Sequence, residues 1–228
     1  MIDDKGYFAQ YPAPIFEASC KDHLDTLINH STPYYGPLLY WLIRCAGTTN
    51  VAEIGVCYGW TSYFMASGVK DNLTRRGIQN PTVEEGQYYG IDTSGIVVEL
   101  QEKLRAKGLP ATFLQMDSYD LTPQHFHPTN SFGLVFIDGW HSEQHLLKEV
   151  ELFYPMLIDG GRGYMIIHDC YGWVFEPTLT ILKDPKYKWE YIRFMDNYGL
   201  AILRKMDNYH ADDNPKAIWK EGPQPDIR

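Results

Sequence analysis

The chain has 228 residues, 44% of them hydrophobic, which suits one domain with a substantial core rather than a disordered segment. Its formal net charge of −9 argues against a nucleic-acid backbone or an anionic membrane as the main partner, because both need a basic footprint. No apolar run approaches the roughly 18–20 residues of a membrane span. The opening MIDDKGYFAQYP has no basic-then-apolar targeting pattern. Cys20, Cys45, Cys57 and Cys170 include no C-x-x-C pair, so reduced thiols in a cytoplasmic chain are expected, without structural zinc.

No internal repeat or low-complexity segment is visible, and the expected organisation is a single domain over residues 1–228. Residues 1–47 form an N-terminal arm and helices, 48–205 the core and 206–228 a tail. Residues 1–16 are aperiodic. Glu17 to His30 has Leu24, Leu27 and Ile28 at helical spacing. Tyr34 to Ala46 predicts a second, strongly apolar helix with Pro37 in its first turn and Gly47 at its end. Val51 to Val56 is a short apolar run broken only by Glu53, the pattern of a buried parallel strand. Gly55-x-x-x-Gly59 follows, then a helical pattern from Trp60 to Ser67. Residues 68–87 are polar and glycine-bearing and read as a long surface connection.

Tyr88 to Ile91 predicts the next strand, ending in Asp92-Thr93-Ser94, with Ser94 placed to cap a helix over 95–107. Ala111 to Met116 predicts a third strand, ending in Asp117-Ser118, and 119–130 a connection with one helical turn. Phe132 to Ile137 predicts a fourth, ending in Asp138-Gly139-Trp140-His141. Ser142 then caps an amphipathic helix from Glu143 to Leu157, stopped by Asp159-Gly160-Gly161. Tyr164 to Ile167 predicts a fifth strand, ending in His168-Asp169. Trp189 to Phe194 and Leu200 to Leu203 are joined closely enough for a hairpin. Repeated β-α units predict a right-handed, mostly parallel three-layer α/β sandwich, here closed by an antiparallel pair.

Ligands of open α/β sheets bind beyond the C-terminal strand ends. Every such end is polar here, and four carry Asp: Asp92, Asp117, Asp138 and Asp169. Each Asp also has a bland reading as a cap or loop residue. The glycine turn departs from the dinucleotide fingerprint G-x-G-x-x-G because Cys57 takes the second glycine position. Glu53 in the strand would repel phosphate and suits a cationic ligand.

The pattern E-x-G-x-x-x-G over Glu53, Gly55 and Gly59 resembles motif I of the class I S-adenosylmethionine (SAM)-dependent methyltransferases. The resemblance extends from Val51 to about Tyr171. It implies a Rossmann-like, seven-stranded sheet and a glycine loop that cradles the methionine end of SAM. It also implies that Asp92 binds the ribose hydroxyls, as a carboxylate can by accepting from a diol. Asp117 and Ser118 would meet the adenine amino group, and Thr61 the cofactor carboxylate.

The segments Ile137-Asp138-Gly139-Trp140-His141 and His168-Asp169 look like the small-molecule O-methyltransferase branch, sugar- and antibiotic-tailoring enzymes among them. By that resemblance Asp138 and Asp169 hold magnesium or another divalent cation, with His168 in the place of a third ligand that is usually acidic or amide. An imidazole there favours manganese, iron or zinc; alternatively His168 is structural. Such a cation lowers the pKa of an acceptor hydroxyl. His141 is the candidate general base, its ordinary pKa lying near 6.5, against a bland role at the helix start.

Trp140, Tyr171 and Trp173 flank the expected pocket, while His125, His127, His145 and His210 have no motif around them. The expected activity is O-methylation of a small-molecule hydroxyl: a sugar, a catechol-like ring or a natural product. No Asn/Asp-Pro-Pro-aromatic motif of DNA amino methyltransferases follows the fourth strand. A nucleotide- or NAD-dependent enzyme and a non-catalytic SAM-binding protein are the alternatives. The apolar second helix and the aromatic arm are available to a homodimer.

Overall fold

The structure, a computed structural model, describes residues 35–128, 131–171, 174–194 and 198–208. The expected arm, the helix from Glu17 to His30, Trp173, His210 and nearly all of the tail lie outside the described residues. The helices are α1 (Tyr35–Ala46), α2 (Trp60–Arg75), α3 (Ile96–Ala106), α4 (Glu143–Phe153) and α5 (Phe175–Lys183). The strands are β1 (Asn50–Ile54), β2 (Gln87–Asp92), β3 (Ala111–Gln115), β4 (Leu134–Ile137), β5 (Tyr164–His168), β6 (Trp189–Phe194) and β7 (Leu200–Lys205).

They form one seven-stranded sheet in the order β3-β2-β1-β4-β5-β7-β6. All neighbours are parallel except β7, which runs antiparallel to both β5 and β6. This is the expected Rossmann-like architecture with its closing hairpin. The order reverses between β1 and β4, and at such a switch point the loops leave toward opposite faces and open a crevice.

Alternation along the strands feeds two cores. Val51, Tyr88, Phe136 and Ile166 pack against Leu39 and Ile43 of α1 and Met65, Val69 and Leu73 of α2. Ile54, Ile91, Val135, Ile137 and Ile167 pack against Leu146, Val150 and Phe153 of α4 and Ile181 of α5. Both faces of the central strands are thus dry, which is why β4 reads LVFI without polar interruption.

Two stretches differ from the sequence expectation. α2 does not stop at Ser67 but runs to Arg75, taking up the first part of the expected connection. Its inner face there carries a polar residue, Asn72, whose Nδ2 donates to the carbonyls of Ile43 (2.8 Å) and Thr48 (2.7 Å). Asn72 thereby satisfies one carbonyl in the last turn of α1, which lacks a helical partner, and one in the connection that follows. Gly68 sits where a Cβ would meet Ile43 at 3.0–3.2 Å, so the small residue lets α1 and α2 approach closely. The second difference is α5, in a stretch to which periodicity assigns nothing; it covers the sheet with Thr178 and Ile181.

Candidate active site

The glycine loop is built around one carboxylate. Oδ2 of Asp92, at the end of β2, accepts from the backbone N–H of Val56 and of Cys57, both at 2.9 Å. Its Oδ1 accepts from Ser94 N at 2.8 Å. Gly55 (φ 83°) and Gly59 (φ 78°) both lie in the left-handed region that a glycine reaches without strain. Cys57 shares it at φ 51°, an uncommon conformation for a residue with a side chain. The loop is therefore held open by Asp92 and by the glycines on either side.

Glu53 and Thr61 face inward. Glu53 is fully buried and accepts from Thr61 Oγ1, from Ser62 Oγ (2.6 Å) and from the Tyr88 hydroxyl. Burial pushes its pKa up to about 7, against those three hydrogen bonds, which favour the ionised form. The Tyr88 phenol is pushed well above its ordinary range by the same burial and by the neighbouring Glu53 charge. Neither Glu53 nor Thr61 presents its side chain to the crevice, in contrast to the contacts expected of them with a cationic ligand and a cofactor carboxylate. Together they tie β1 to the first turn of α2 and hold the root of the loop.

At the end of β3, Asp117 caps a single 3₁₀ turn over Ser118–Asp120, its Oδ1 accepting from Tyr119 N at 2.9 Å. Ser118 is buried and donates to Glu149 of α4. Burial raises the Glu149 pKa to about 7. His145, which no sequence motif marks, lies between Asp117 and the start of α4. Its Nε2 is 3.1 Å from Asp117 Oδ1 and its Nδ1 2.8 Å from Ser142 Oγ. Ser142 is the expected N-cap, accepting from His145 N at 3.2 Å. The three-residue spacing from the cap to His145 is the one sequence signal for that placement.

The ends of β4 and β5 bring two carboxylates and two imidazoles together. His168 Nδ1 is 2.7 Å from Asp138 Oδ1 and 3.5 Å from Asp169 Oδ1. His141 Nε2 is 2.8 Å from Asp169 Oδ2. Each carboxylate thus has an imidazole nitrogen within hydrogen-bond distance. His168 is buried beneath Tyr35 of α1, ring centroids 5.1 Å apart, whereas the His141 side chain is about one-third exposed. Asp169 adopts φ 54°, a left-handed conformation that a side chain resists and that is held where surroundings over-determine it.

The electrostatics follow from this arrangement. The hydrogen bond that His141 donates to Asp169, more than the opposing burial, raises the pKa of His141 above its ordinary value. Burial raises that of Asp138, opposed by His168. The donor atoms that converge are those of Asp138, His141 and Asp169, all within 4.8 Å of one another. Two carboxylates and an imidazole at that spacing fit a divalent cation. In the expected metal set His168 stood where the geometry places His141; His168 instead abuts Asp138 from the core side. Trp140 and Tyr171 flank the cluster in sequence and are largely exposed, 74% and 54%.

A family profile described as "Methyltransferase domain" matches residues 52–170. No curated protein matches the chain. Among solved structures, a candidate O-methyltransferase from Klebsiella pneumoniae is similar, with TM-score 0.62 and 14% identity, over 87% of this chain and 92% of that one. The SAM-bound O-methyltransferase TomG from Streptomyces achromogenes, involved in tomaymycin synthesis, has TM-score 0.59 and 15% identity, over 84% and 91%. The methyltransferase PaMTH1 from Podospora anserina, bound to S-adenosylhomocysteine, has TM-score 0.54 and 11% identity, over 84% and 97%. At such identities the likeness is one of fold.

Proposed function

The chain belongs to the methyltransferase-domain family and is a SAM-dependent methyltransferase, and from that premise we propose that it methylates a hydroxyl of a small molecule, with His141 as the general base. The observation that carries this reading is the 2.8 Å contact between His141 Nε2 and Asp169 Oδ2, at strand ends next to the glycine loop. SAM, when bound, supplies a methyl group made electrophilic by its sulfonium. Gly55 and Gly59, through their positive φ, shape the loop that receives it, and Asp92 and the Asp117-Ser118 turn line the nucleoside end. Glu53 and Thr61 act from beneath, by fixing the loop.

His141 takes the acceptor's proton at Nδ1, because its Nε2 hydrogen is held by Asp169 Oδ2. Asp169 orients the ring and compensates the imidazolium that forms, while Asp138, held by His168, keeps the adjoining wall polar. Trp140 and Tyr171 offer aromatic surface to a sugar, a catechol-like ring or a natural product. The net charge of −9 disfavours a nucleic-acid acceptor. Among the described residues no helix is long and apolar enough to cross a membrane; a cytoplasmic setting and a homodimer belong to the same proposal.

The convergence of Asp138, His141 and Asp169 favours a second reading, in which these three hold magnesium or another divalent cation. Such an ion would lower the pKa of the acceptor hydroxyl and fix its position. The two readings exclude each other at His141, because a neutral imidazole that binds a cation through one nitrogen carries its hydrogen on the other and has no lone pair left for a proton. Transfer of a labelled methyl group from SAM to a panel of sugars, catechols and polyketides, with chelator or with added magnesium, decides between them. Turnover that resists chelation supports the base, and turnover that requires the ion supports the metal centre. The absence of any hydroxyl acceptor, with amine or thiol acceptors accepted, would refute O-methylation.

A further inference from the structure

The residues around Asp117 give His145 a task that the reaction itself does not require. Asp117 is half-exposed at the crevice. Its Oδ1 is occupied twice, by Tyr119 N and by His145 Nε2, whereas its Oδ2 accepts from no described residue. The tautomer of His145 follows from its other contacts. Ser142 Oγ already accepts from the backbone N–H of His145, so its own hydrogen is free to point at Nδ1, 2.8 Å away. That leaves the ring hydrogen on Nε2, aimed at Asp117. The ring is also steadied by Tyr119, centroids 5.2 Å apart, and Tyr119 by Lys148 Nζ at 3.8 Å from its centre.

The carboxylate is thus clamped through one oxygen with the other left facing the crevice. We propose that His145 is a positioning residue, which aims Asp117 Oδ2 at the exocyclic amino group of the cofactor's base and so makes the site select an adenine over a base carrying oxygen at that place. The proposal rests on the reading that Asp117 stands at the nucleoside end of the SAM site. An acceptor held in one direction rewards an amino donor and is left facing a carbonyl oxygen when the donor is replaced, which is how a polar site discriminates strongly.

The test compares the binding of S-adenosylhomocysteine and S-inosylhomocysteine to the full chain by calorimetry. Wild-type protein is expected to prefer the adenosyl ligand by about tenfold or more. His145→Ala and His145→Phe, the latter keeping a ring against Tyr119, should both lose most of that preference, as should Asp117→Ala. A merely structural role for His145 would weaken both ligands alike and leave the ratio unchanged. If either folded His145 variant keeps the wild-type ratio while Asp117→Ala loses it, the positioning role is refuted and the reading of Asp117 stands. If Asp117→Ala keeps the ratio as well, both fall together. Should the Ala variant fail to fold, the Phe variant carries the same comparison.

Discussion

A Cβ placed on Gly55 would lie 2.0 Å from the carbonyl oxygen of Asp138 and 2.8 Å from the Cα of Gly139. The cofactor loop and the catalytic strand end therefore touch backbone to backbone. Gly55→Ala must also hold a positive φ of 83° with a side chain. The expected cost is on the order of 3 kcal/mol of stability, read as a lower urea midpoint, together with loss of S-adenosylhomocysteine binding. A variant with wild-type stability would show that the loop and the end of β4 are not in contact.

Asp92→Ala removes the acceptor of the Val56 and Cys57 N–H groups as well as the expected ribose contact. The chain should stay folded by circular dichroism, because its two cores are untouched. Affinity for S-adenosylhomocysteine should drop by at least about tenfold. Unchanged affinity would remove Asp92 from the cofactor site.

The raised pKa of His141 sets a pH profile. A base works only when neutral, so kcat/KM should rise with pH and level off above a midpoint higher than an ordinary histidine's. In Asp169→Asn the charged acceptor is gone, and the midpoint should move to lower pH while the plateau rate falls. His141→Ala should cost about 10²–10⁴-fold in kcat. A midpoint that does not move in the Asn variant would separate Asp169 from the base.

Asp138→Ala tests the cation directly. Any turnover that depends on a divalent ion should be abolished, with S-adenosylhomocysteine affinity largely kept. Titration of manganese, followed by its paramagnetic signal, should show binding to the wild type and none to the variant if Asp138 is a ligand. Activity that survives both chelation and this substitution would exclude the metal centre.

Glu53 and Glu149 each have a folded-state pKa near 7, above the 4.5 of an ordinary glutamate. Between those values the folded chain holds protons that the unfolded chain has released. The contribution of these two groups to stability should therefore decline as pH rises from about 4.5 to about 7 and be flat above it. Each buried acid contributes on the order of 3 kcal/mol to that decline. Glu53→Gln has no proton to lose, so its unfolding free energy should fall less steeply across this window. A pH dependence as steep as the wild type's would mean that Glu53 ionises without cost.

The strand ends were legible because both faces of a central parallel strand are apolar, so the first polar residue after each run marks the edge of the sheet. Asp92 and Asp138 stand out on that basis, and at the end of β5 His168 does, with Asp169 next to it. Direction was not legible: Glu53 lies in β1 with nothing in sequence to say that Thr61, Ser62 and Tyr88 would close over it. The same holds for the exchange between His141 and His168, since both neighbour an Asp or follow one closely, and only the fold decides which imidazole meets which carboxylate. The extension of α2 was hidden because Asn72, a polar residue on the inner face, interrupts the apolar period. His145 was hidden because its partner Asp117 is brought to it by strand order rather than by chain distance.

Strand order also fixes when the site comes into being. Val51 pairs with Leu134, and Ile54 with Ile137, only after β2, β3 and the helices between them have been made. During synthesis β1 and β2 wait with one edge of β1 open, and contacts so distant in sequence close late. A fragment that ends before Asp138 contains the whole glycine loop yet lacks the backbone against which Gly55 rests. Cofactor capture is thus a property that the growing chain acquires at one step, when β4 pairs with the open edge of β1, and not by degrees.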